Sequence, residues 1–108
     1  MWLFTKNSFI SVVQHRERQD HVLVRARVKK HIVRLFPGQE KLIAKDDTAD
    51  YRWRLLMPKQ VLADTLADYI IHRLDYDNFK AAQEADDPSW LSFLHSIWGV
   101  GLGLQKKS

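Results

Sequence analysis

The segment Ser11–Val28, SVVQHRERQDHVLVRARV, carries two histidines and four arginines and is the densest supply of chemically capable side chains in the chain. His15 and His21 flank its polar turn, ERQD. Paired imidazoles can hold a metal, but a stable site wants a third or fourth ligand. Glu17, Asp20 and the more distant His31 are the candidates, and no HExxH-type spacing brings them together. These groups therefore read as polar turn residues, and no metal site is assigned. Arg16, Arg25 and Arg27 are joined by Arg52 and Arg54 in a later segment. Each is a planar, permanently charged fork suited to phosphate or carboxylate oxygens.

Other candidates are weaker. Asp75 and Asp77 in DYDNF could pair as carboxylates, but they suit the end of one helix and the cap of the next equally well. Asp64, Asp68 and His72 recur at i, i+4 and i+8, which makes a solvated helix stripe. The serines lack a G-x-S-x-G context. In WGVGLGLQKK the glycines follow a helix, whereas a dinucleotide fingerprint needs a strand before them and a helix after. No catalytic residue and no cofactor are assigned.

Period-two patterning supplies the strands that position the arginines. In His21–Val28, Val22, Val24, Ala26 and Val28 face one way and His21, Leu23, Arg25 and Arg27 the other. In YRWRLLM, Tyr51, Trp53, Leu55 and Met57 alternate with Arg52, Arg54 and Leu56. If both strands share a sheet, the four guanidiniums Arg25, Arg27, Arg52 and Arg54 emerge on its open side, with Tyr51 and Trp53 on the core side. The alternative is a solvated face whose arginines pair with Asp46, Asp47, Asp50 or Glu17. Ser8–Arg16 forms a hairpin with His21–Val28, its register open between Phe9/Val13 and Ile10/Val12 as the core-facing pair. KKHIVRLFPG predicts a short helix stopped by Pro37-Gly38. KLIAK is a candidate strand, and DDTAD a turn. Pro58 at the first helical position opens an amphipathic helix with Leu62, Leu66, Tyr69, Ile70 and Leu74 on one face. DYDNFKAAQEA suggests a shorter helix or turn capped by Asp77. Asp87-Pro88 opens a last helix that its glycines should fray beyond Trp98. The order β-β-α-(β)-β-α-α-α predicts an α+β two-layer sandwich: an antiparallel sheet of three to four strands with helices on one face, ferredoxin-like in part.

At 108 residues the chain suits a single domain, residues 1–108. It lacks cysteine, which removes disulfides, thiol nucleophiles and cysteine-ligated metal centres and suits a reducing compartment. No run resembles a signal h-region or reaches the roughly 20 apolar residues of a membrane span. A cytoplasmic protein without a membrane partner is expected. The net charge is +4, but residues 1–54 carry twelve Lys/Arg against six Asp/Glu, whereas residues 55–108 carry five against seven. Such asymmetry suggests an anionic partner.

With MWLFTKNSFISVVQHR, LVRARV, ADYRWRLLMP and DYDNFK in view, the chain resembles a family of short uncharacterised bacterial proteins that share MW, SVVQHR, VRAR, ADYR and DYxNFK segments. That resemblance implies a bacterial, cytoplasmic or mobile-element setting and nothing about substrate. The reading the residues favour is a small non-enzymatic binding or adaptor protein. Its surface is the sheet face bearing Arg25, Arg27, Arg52 and Arg54, with Arg16, His15 and His21 at the rim, and its partner is an acidic protein or nucleic acid. Two alternatives stand beside it. One is an enzyme using His15, His21 or Asp77 for acid–base chemistry. The other is a homodimeric module associating through sheet faces, edges or the Trp90/Trp98 helix.

Overall fold

The computed structural model describes residues 1–83 and 86–107. Five strands form one antiparallel open sheet: β1 (Trp2–Thr5), β2 (Ser8–Gln14), β3 (His21–Ala26), β4 (Ala44–Lys45) and β5 (Trp53–Pro58), in the order β1-β2-β3-β5-β4. The expected three to four strands are thus five. The addition is β1, whose five-residue MWLFT start is apolar on both faces and carries no alternation to read. The β1-β2-β3 meander also departs from the split β-α-β order of a ferredoxin-like sheet.

Among the described residues three α-helices complete the α+β architecture: α1 (Lys29–Leu35), α2 (Lys59–Asp68) and α3 (Pro88–Lys107). Register settles which side each packs on. Val12 pairs with Val24 and Val24 with Leu55, so these side chains share a face with Ile10, Val22, Ala26 and Met57. Those residues join Ile32 and Leu35 of α1 and Leu62 of α2 in the larger core. Ile10 and Val12 are therefore the core-facing pair of β2. Phe9 points the other way and stacks on Phe4 with ring centroids 4.5 Å apart. With Tyr51 and with Trp90 and Leu94 of α3 it builds a second, aromatic cluster. The helices consequently do not share one face: α3 serves the side that α1 and α2 leave.

Local chemistry explains most boundaries. α1 stops at Phe36-Pro37-Gly38, where Gly38 adopts φ +88°, a region that L-residues avoid. Asp87 caps α3 by accepting the Trp90 amide at 3.1 Å. After Asp68 the second helix widens into a π-turn, Tyr69–Arg73. Of the expected apolar stripe, Tyr69 is buried, whereas Ile70 is exposed, as is Leu74, which lies beyond the π-turn. In DYDNFKAAQEA the described residues form turns, and Asn78, not Asp77, supplies the cap by accepting the Ala81 amide at 3.0 Å. Glu84 and Ala85 of that stretch lie outside the described residues. α3 runs through Gly99, Gly101 and Gly103 to Lys107 and does not end at Trp98. Its last turns stand clear of the body, with nothing within 4 Å of where a Cβ would sit on any of the three glycines.

Ile32 is completely buried between α1 and the sheet. Ile32→Ala should lower unfolding free energy by about 3 kcal/mol through the burial it removes and the residual cavity it leaves. The expected result in urea is a lower midpoint with an unchanged m-value.

Candidate functional site

The face of the sheet turned away from α1 and α2 has two halves. Its Phe4/Phe9 end lies under α3. The other end is an open groove of about 640 Å³ lined by Val13, Leu23, Gln14, His15, Arg16, Arg25 and Arg54, and by the Glu17 carboxylate. Register creates its charge: Arg25 on β3 is the direct cross-strand partner of Arg54 on β5 and of Ser11 on β2. The same alternation that sends Val24 and Leu55 into the core delivers both cations to this side.

Like charges directly opposite one another destabilise a sheet, and this pair is incompletely compensated. Arg54 has Asp46 at 3.9 Å. Arg25 has no carboxylate partner among the described residues; its Nη2 donates to Ser11 Oγ at 2.9 Å, and its Nε is buried without an acceptor. What supports Arg25 is Tyr51, whose ring centroid lies 4.6 Å from the guanidinium carbon. Tyr51 therefore does not occupy the helix-side core expected of it. It precedes β5, which begins only at Trp53, and packs with Phe9 on the arginine side.

The other expected site residues are distributed differently. Arg27 lies past the end of β3, also 4.6 Å from the Tyr51 ring, and its Nη1 meets the backbone and carboxylate oxygens of Asp50. Arg52 pairs with Asp47 at 3.2 Å. Neither lines the groove, so the quartet of arginines divides into a groove pair and a pair engaged by the β4–β5 loop. His15 lines the groove, but its Nδ1 accepts the amides of Glu17 and Arg18 and so builds the hairpin turn. His21 is buried, its Nδ1 2.8 Å from Asp20, and that contact holds the Asp20 carboxyl below the usual range. His21 and the exposed Asp77 do not line the groove, so the suggested acid–base set of His15, His21 and Asp77 does not assemble there. Among the described residues no three His, Asp or Glu side chains gather as metal ligands.

Among the described residues, folding strongly alters His31. Burial is the main cause that brings its pKa down to about 4; the charges of Arg34 and Lys30 act in the same direction and that of Asp87 against it. The Phe9 amide donates to its Nδ1 at 3.3 Å, and the ring lies edge-on to Trp90 at 5.0 Å. The sequence signal was available: His31 is adjacent to Ile32 and four residues before Leu35, on the face of α1 that packs inward.

The fold and groove together define an α+β protein with an open antiparallel sheet, the groove on its second face lined by three arginines and one glutamate. Compared with known proteins, the chain matches no family model, no curated protein and no solved structure. Among the described residues no helix is long and apolar enough to cross a membrane.

Because the folded-state pKa of His31 is about 4, against about 6.5 unfolded, the unfolded chain takes up the proton first. The stability contributed by the neutral ring is therefore complete above pH ~6.5 and declines as pH falls toward ~4, by about 3 kcal/mol in total. Denaturant titrations across that window should show this slope in the wild type and a shallower one in His31→Gln.

Proposed function

We propose that the protein is a small binding or adaptor module whose sheet groove takes an anionic partner, an acidic protein segment or a nucleic acid strand. One observation carries the reading: Arg25 and Arg54 face each other across β3 and β5, with Arg16 on the same groove wall and no carboxylate on Arg25 among the described residues. Holding cations together without full compensation costs stability. Bound phosphate or carboxylate oxygens would offset that cost, and the guanidinium forks of Arg16 and Arg54, which also line the groove, can grip such groups bidentately. The apolar floor of Leu23 and Val13 gives a partner something to cover besides charge.

The test is fluorescence anisotropy with labelled single-stranded DNA, RNA, duplex DNA and a poly-glutamate peptide over a salt series. Binding to one of these probes that weakens as salt rises is expected. If the partner is a single strand, Arg16→Gln/Arg54→Gln should flatten the log–log salt slope by about 1.4, roughly 0.7 for each phosphate that is no longer neutralised. Negligible binding of every probe at low salt, or equal binding by this double variant, would overturn the reading.

Self-association is a second reading, favoured by the free end of α3. Val100, Leu102 and Leu104 are 76, 52 and 71 % exposed there, beside the glycines at 99, 101 and 103. Sedimentation at micromolar concentration should then give a dimer that Val100→Glu/Leu104→Glu returns to a monomer of 12.7 kDa. A wild-type monomer would remove this reading and leave the first untouched.

A further inference from the structure

A separate cavity lies where the aromatic half of the sheet meets α1 and α3. It holds about 310 Å³, with Phe9, Trp90 and Phe93 as walls and Arg27, Lys30, His31, Ser89 and the Asp87 carboxylate, which is paired with Lys30, as its polar groups. That volume is at the lower end of small-molecule sites, roughly 300–1,000 Å³. The walls are fixed in place. The Phe93 centroid is 5.5 Å from Phe9 and 5.9 Å from Trp90, and the Trp90 indole N–H donates to Gln83 Oε1 at 2.8 Å. Flat, electron-rich walls favour a flat ring packed against them.

The polar groups select what that ring should carry. Nδ1 of His31 is taken by the Phe9 amide, which leaves Nε2–H as the donor of a neutral imidazole, with no protein acceptor among the described residues. Lys30 is already held by Asp87 at 3.0 Å. Arg27 is only partly engaged: both of its contacts with Asp50, at 3.1 and 3.5 Å, use Nη1. Its Nε and Nη2, the edge that grips a carboxylate with two parallel bonds, have no protein acceptor among the described residues. We infer that this cavity binds a planar aromatic carboxylate, its ring among Phe9, Trp90 and Phe93 and its carboxylate on the free edge of Arg27. This site is independent of the sheet groove, which lies on the other half of the face and does not include these residues.

The full chain, labelled with nitrogen-15, is titrated with indole-3-carboxylate and, separately, with neutral 3-methylindole. Two signals report on the cavity walls: the Phe9 amide and the Trp90 indole N–H. Expected are saturable shifts of both with the acid, binding of the neutral ring weaker by about tenfold, and a similar drop in acid affinity for Arg27→Gln. Ser89→Trp, which plugs the cavity from an exposed lining position, should abolish binding even if Arg27→Gln does not fold. Arg16→Gln/Arg54→Gln should leave the acid's affinity unchanged, so failure here and failure of the groove reading are distinguishable. No saturable shift with the acid, equal affinity for acid and neutral ring, or undiminished binding by either Arg27→Gln or Ser89→Trp would overturn the inference.

Discussion

The register between β3 and β5 is the constraint on which the other features depend. Val24 opposite Leu55 is buried on one side, and the next rung, Arg25 opposite Arg54, must then point to the other. A slip of one residue would expose the core set and bury the cations, so the pairing is specified strongly by hydrophobicity alone. The charge concentration on the second face is thus a by-product of the requirement that makes the core. β3 and β5 are each paired on both edges, β3 to β2 and β5, and β5 to β3 and β4, which leaves that rung little freedom to relax.

The protein contains this charge by geometry more than by neutralisation. Tyr51 places its ring against both Arg25 and Arg27, and the acidic β4–β5 loop reaches Arg27, Arg52 and Arg54 with Asp50, Asp47 and Asp46 respectively. These loop pairs are largely solvent-exposed, so each contributes little to stability. Their effect is to divide the cations. Those beyond the strand end and near the loop each meet a carboxylate, Arg27 through Nη1 alone, whereas Arg25, behind Ser11 and Tyr51, meets none among the described residues.

Strands whose two faces differ were legible in the sequence. β3 and β5 announced themselves by alternation, as did the positions of Arg25 and Arg54, and the Pro37-Gly38 stop and the Asp87 cap rested on local chemistry that tertiary contacts did not override. Elements with apolar residues on both faces were not legible: β1 offered no pattern, and β2 could be oriented only by its partner. Tyr51 was misassigned because the period was extended past the first residue of β5, where the chain no longer keeps the pleat. The persistence of α3 through three glycines was also unread. Glycine weakens a helix by about 1 kcal/mol per position, but a segment already nucleated by the packed Trp90–Leu94 turns gains a backbone hydrogen bond for each residue it adds. The separation of Arg27 and Arg52 from the groove depended on where a loop of acids folds, which no periodicity encodes.

α1 has seven residues, no side-chain cap at its N-terminus and no acidic residue in its first turn. A helix of that length does not persist by itself. Its final carbonyls, those of Arg34 and Leu35, are met by the guanidinium of Arg73 at the end of the π-turn, far along the chain. The end of the second helix therefore caps the C-terminus of the first, whose N-terminus has no side-chain cap. A fluctuation that loosens the π-turn withdraws that cap, so the two helical segments form one cooperative unit whose amides should become accessible to solvent exchange together.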